Sequence, residues 1–146
     1  AVRALGRIAE RGDPHAVSLV SAHLGHRDEH VRRAAVEALA QVAEKGDPYT
    51  ISLLISHLEH GSEDVRHTAV EALTKVMDRG DQDAILLLMP CLEHEDVHVR
   101  AAAVEAIAQV TVPENSRIAA LLREQHLGDE HGASRRAAVE ALAGML

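Results

Sequence analysis

The stretch VRRAAVEALA, residues 31–40, decides the fold because it keeps returning. It comes back as VRHTAVEALT at 65–74, VRAAAVEAIA at 99–108 and SRRAAVEALA at 134–143. A fifth copy opens the chain, since AVRALGRIAERGDP (1–14) aligns with AVEALAQVAEKGDP (35–48). The step is 34 residues from Val31 to Val65 and again from Val65 to Val99, and 35 from Arg100 to Arg135. Self-similarity at one fixed period marks a stacked-repeat architecture, in which each unit buries its apolar face against its neighbours.

Within the stretch the period is helical. At about 100° per residue, Val31, Ala35, Ala38, Leu39 and Val42 share one face, and Val36 and Ala43 widen it. So broad an apolar arc implies contact on several sides. The exposed remainder is a narrow strip of Arg33, Glu37, Ala40, Gln41 and Glu44. Upstream lies a second helical stripe: Ile51, Leu54 and Leu58, matched by Val17, Val20, Leu24 and by Ile85, Leu88, Leu92. Each unit therefore reads as two helices.

The punctuation repeats too. Gly12-Asp13-Pro14, Gly46-Asp47-Pro48 and Gly80-Asp81-Gln82 stand between units. Gly46 is placed to end one helix in a left-handed conformation, Asp47 to cap the next, and Pro48 to fill its first position. Asp28, Ser62 and Asp96 are placed to cap the second helices. Pro90 falls inside a first helix and should kink it. The last unit is irregular: TVPENS (111–116) replaces the Gly-Asp-Pro turn, with Thr111 and Glu114 at capping-box spacing.

These signals predict an all-α chain of nine helices, near 1–11, 14–25, 29–45, 48–60, 63–79, 82–94, 97–110, 114–126 and 133–145. They form one domain over 1–146: a partial repeat 1–12, then repeats of about 13–46, 47–80, 81–112 and 113–146. A start and an end within repeats point to a piece of a longer array.

Composition narrows the chemistry. Apolar residues make up 47%, nearly all aliphatic, with one Tyr and neither Phe nor Trp. Such a core suits closely packed helices. Asp and Glu outnumber Lys and Arg 23 to 15, for a net charge of −8. That balance argues against nucleic acid, whose binders carry a basic face. No apolar run approaches the ~18 residues of a membrane span. The single Cys91 forms no intrachain disulfide, which points to an intracellular compartment, the cytoplasm or an organelle interior.

The pattern VR-x-x-A-V-E-A-L-x-x-V/I, preceded by a helix reading A-V/I-x-x-L-x-x-x-L, resembles HEAT repeats over nearly the whole chain. It is most similar to the HEAT-like subclass of phycobilisome lyase subunits. The Trp, Leu-Gly and Tyr pattern of tetratricopeptide repeats is absent. The resemblance implies a right-handed α-solenoid whose second helices line the inner curve. HEAT-type units usually carry Asp five residues before the Val of Val-Arg and pair it with that Arg. Here His26, His60 and His94 stand there, so Arg32, Arg66, Arg100 and Arg135 must turn to Asp28, Glu63, Asp96 or helix-terminal carbonyls.

The clearest surface feature is the ladder Glu37, Glu71, Glu105, Glu140, with Arg33, His67 and Arg136 as a basic edge one turn earlier. It reads either as a groove for a protein partner with a basic segment, or as a solvated helix face supported by pairs such as Arg33–Glu37. The histidine pairs His26/His30 and His94/His98 fall short of a zinc site, which needs three or four ligands in one place. The resemblance also brings in deoxyhypusine hydroxylase, which holds iron through His-Glu pairs on helices. The matching position here is His67-Thr68, and the lone His-Glu dipeptide, His94-Glu95, sits in a turn. No catalytic residue, metal or cofactor is expected. The expected function is a non-catalytic protein-interaction scaffold. A structural subunit of a larger complex is the first alternative, and a phycobilin-lyase-like enzyme or chaperone the second.

Overall fold

The computed structural model describes residues 1–111, and over them each 34-residue unit becomes a pair of helices. In chain order these are α1 (Val2–Ile8), α2 (Pro14–Ser21), α3 (Glu29–Val42), α4 (Pro48–Leu58), α5 (Glu63–Val76), α6 (Gln82–Leu88) and α7 (Val97–Val110). Two 3₁₀ segments, Ala22–Gly25 and Met89–Glu93, follow α2 and α6. There is no strand among the described residues. The two further helices expected over 114–126 and 133–145 lie outside them, as do Glu140, Arg135 and Arg136.

The helices stack in two layers. α1, α3, α5 and α7 pack in series in one layer, and α2, α4 and α6 in the other. The core lies between the layers and along each stack. Leu39, Leu73 and Ile107 are fully buried at equivalent points, with Val42, Val76 and Val110 one turn later. Ala35, Ala69 and Ala103 are also at 0% exposure. Their single methyls let neighbouring helices approach closely while the Leu and Ile side chains fill the remaining space. Fully burying one such Leu contributes about 1.5–3 kcal/mol.

The starts of the first helices follow the sequence signals. Asp13, Asp47 and Asp81 accept the N–H of His15, Thr50 and Ala84 at 2.9, 2.8 and 3.0 Å, with Pro14 and Pro48 in the first turn. Asp28 and Asp96 cap α3 and α7 in the same way, through His30 and His98. Ser62 makes no side-chain cap.

The ends differ from expectation. α3 and α5 stop at Val42 and Val76, three residues earlier than predicted, where Ala43 and Met77 take extended backbone. Gly46 is therefore not the residue that ends its own helix. It keeps the left-handed conformation, at φ 72, and donates its N–H to the Val76 carbonyl in the next unit at 2.9 Å. Gly12 and Gly80 do the same to Val42 and Val110, at 2.6 and 2.7 Å. The glycine thus occupies an unpaired carbonyl at the C-terminal end of a neighbouring helix and stitches consecutive units together. Pro90 produces no kink within an α-helix. α6 ends before it, and Pro90 lies in the opening turn of the 3₁₀ segment, where its missing N–H has no partner to lose. The first unit makes the same change to 3₁₀ over Ala22–Gly25 without a proline.

Candidate partner-binding face

The residues left over from the core decide the surface. On α3, α5 and α7 the apolar arc faces inward, so position 37 and its equivalents at 71 and 105 turn outward. Glu37 and Glu71 are exposed, and Glu105 is half-buried. Arg33 and His67 are exposed one turn earlier. The carboxylates therefore hold the same register on successive packed helices.

The ion pairs along this row differ from those expected. Arg33 pairs with Glu29 at 3.2 Å, back toward the start of its helix, rather than with Glu37. That choice sets an acid in the first turn of α3, where the exposed backbone N–H groups favour it. Glu37 instead meets Arg3 of α1 at 3.4 Å, across two units. Glu71 and Glu105 form no ion pair among the described residues.

Between α5 and α7 the surface dips. A hollow of about 150 Å³ is lined by Glu63, His67 and Val70 on one side and by His98, Ala101 and Glu105 on the other, with Arg66 alongside. It exists because Ala101 occupies the position held by Arg33 and His67 in the two earlier units. The structure thus brings His67 and Glu105 to one place, on opposite sides of that hollow.

At the N-terminal ends of these helices the arginines are held by main-chain carbonyls. Arg32, Arg66 and Arg100 are nearly buried. Arg66 Nη1 donates to the carbonyls of His60 at 2.7 Å and Gly61 at 3.0 Å. Arg32 binds those of His26 and Arg27 at 2.9 and 3.1 Å, and Arg100 those of His94 and Glu95 at 2.7 and 2.8 Å. Each arginine therefore fastens the turn that precedes its own helix. Arg32 also reaches across to Asp64 of the next unit, at 3.5 Å. The sequence offered both the side-chain acids and the carbonyls as partners, and the carbonyls dominate.

Two carboxylates are shifted. Asp96 lies below its ordinary value, held there first by the His98 N–H and then by the charges of His98, Arg66 and His94. At Asp47 burial pushes upward, but the Thr50 hydroxyl and the N–H groups of Thr50 and Tyr49 together bring the carboxyl down. Cys91 is buried, and burial raises its thiol, with Glu59 adding to the effect. A raised, enclosed thiol is a poor nucleophile. Among the described residues no group of His, Cys, Asp and Glu is arranged to hold a metal ion, and no helix is long and apolar enough to cross a membrane.

The profile of the HEAT repeats matches residues 1–74 and 51–143, which together span nearly all of the chain. No curated protein matches it. Paired helices in two layers, the 34-residue step and this match agree, and the chain belongs to the HEAT-repeat family.

Proposed function

We propose that the chain is a non-catalytic protein-interaction scaffold that binds its partner along the layer made by α1, α3, α5 and α7. In this reading the units continue as a right-handed α-solenoid, and that layer lines its inner curve. The observation that supports it is the row of Glu37, Glu71 and Glu105, held in one register on helices that pack in series. Glu140 would extend the row, and Arg33, His67 and Arg136 would form its basic edge. The partner is a protein segment with Lys or Arg at matching intervals, because the net charge of −8 favours a basic ligand. The proposed setting is intracellular.

Exposed ion pairs contribute about 0–1 kcal/mol each, so no single glutamate should dominate. The test is capture of partners by wild type and by E37K/E71K/E105K, with circular dichroism as the control for folding. Loss of capture at unchanged helicity supports the reading, and full capture by the variant at low salt sinks it.

A permanent place inside a larger complex is the second reading. It is favoured by the exposure of Ile8, at 79%, and of Leu19, Tyr49, Leu86 and Val97. Kinship with phycobilisome lyase subunits would add a role in pigment attachment, and rests on the sequence motif alone.

A further inference from the structure

Among the described residues, each turn between a first and a second helix carries a histidine whose ring accepts a backbone N–H. The N–H of Asp28 donates to His26 Nδ1 at 3.0 Å, that of Ser62 to His60 Nδ1 at 3.1 Å, and that of Asp96 to His94 Nδ1 at 3.0 Å. The backbone group can only donate, so Nδ1 must be bare and the ring proton must sit on Nε2. An imidazolium carries N–H at both positions and accepts nothing. Protonation would set two N–H groups head to head. It would also bring positive charge beside the guanidinium of Arg32, Arg66 or Arg100, each of which binds the carbonyl of the same histidine.

We propose that His26, His60 and His94 form a pH-sensitive clasp along one edge of the repeat array. The neutral rings hold the three turns closed. As the pH falls through the range in which imidazoles charge, about pH 8 to pH 5, the three turns open together. The sign follows from the geometry. Only the neutral ring makes the bond, so what the bond contributes is present at high pH and lost on acidification.

The surrounding charges act in both directions. Arg3 of α1, His23 of the 3₁₀ segment and His30 of α3 share an open cleft with His26, Arg32 lies on its carbonyl, and Asp28 stands in its own turn. His60 has Arg66 on its carbonyl, with His57 on α4 and Asp64 on α5 nearby in the chain. His94 has Arg100 on its carbonyl, and Asp96 stands in its own turn, as Asp28 does beside His26. The clasp thus loses the same bond at all three turns, each with an arginine on the histidine carbonyl. It acts on the stability of the turns and stands whatever partner the inner layer binds.

The experiment compares thermal melting of the 146-residue chain with that of H26N/H60N/H94N, at about pH 8 and about pH 5.5. Asn accepts an N–H two residues on at any pH. Wild type should lose about 5 °C more than the variant on acidification. Equal losses overturn the proposal. The control, H15N/H67N, removes two exposed rings that accept no backbone N–H, and should keep the wild-type loss. If it abolishes the difference as well, the effect is one of general charge and the clasp is wrong. Should the triple variant fail to fold, NMR on the wild type decides. The amide signals of Asp28, Ser62 and Asp96 should move with ring protonation, and the rings should be Nε2–H tautomers at high pH. Static amides, or Nδ1–H tautomers, overturn it.

Discussion

Adjacent arginines in the repeat should differ greatly in what they contribute. In Val-Arg-Arg at 31–33, the first arginine belongs to the nearly buried class represented by Arg66, while Arg33 is exposed. Arg66→Ala removes two charge-assisted bonds, at 2.7 and 3.0 Å. Hydrogen bonds to charged groups contribute about 1.5–3 kcal/mol each. Both come from a single nitrogen, and the freed carbonyls lie in an exposed turn where water can reach them. Those two facts bring the expected loss down to about 2–3 kcal/mol for the pair. Arg33→Ala removes one exposed i,i+4 pair, at 3.2 Å, for about 0.3–0.5 kcal/mol. In urea titrations followed by circular dichroism, R66A should shift the midpoint strongly at unchanged slope, and R33A hardly at all. The melting temperature should fall by roughly 6–12 °C for R66A. Arg32 and Arg100 leave a buried Nε without a partner, so their loss should cost less than that of Arg66. Equal effects for R66A and R33A would refute the claim that arginines fasten the turns.

Four further outcomes follow from the packing and the caps. Leu73→Ala, at a position with 0% exposure, should cost about 2–5 kcal/mol in chemical denaturation, and a nearly neutral result would mean the helix faces are misassigned. Asp47→Ala should cost about 1 kcal/mol through the lost cap. The Asp47 carboxyl lies below its ordinary 3.8, so its contribution is complete above that value and fades as the pH falls through the lower folded one; D47A should flatten that acid limb in pH-dependent melting. Gly46→Ala places a side chain at φ 72 and should destabilise by about 1–2 kcal/mol, with faster hydrogen exchange at the stitch to Val76. Cys91 should react with thiol reagents only after denaturant opens the core, and rapid labelling of the native protein would contradict its burial.

The repeat made the fold readable. Helical periodicity puts Leu39 on the core face and the 34-residue step carries that to Leu73 and Ile107, because amphipathic spacing is a local signal, and the Asp caps are legible for the same reason. What escaped the sequence was contact between units. The Gly46 N–H meets Val76, 30 residues on, and no local pattern shows where an extended turn will deliver its donor. The expected pairing of Arg33 with Glu37 failed because Glu29 and Arg3 compete for the same two charges, one within the helix and one from another unit. At the surface the row of glutamates was visible in spacing. The hollow beside Glu105 was not, since it depends on a missing side chain at Ala101 between two stacked helices.

The most direct test of the scaffold reading is the rate at which a partner arrives. A basic helical peptide with lysines at matching intervals, mixed with the chain in stopped flow, gives association and dissociation rates across a salt series. Charge rows act mainly on encounter, so E37K/E71K/E105K should slow association about tenfold or more at low salt and abolish its salt dependence, while leaving dissociation nearly unchanged. An association rate that is the same in wild type and variant, with the same response to salt, would contradict the account.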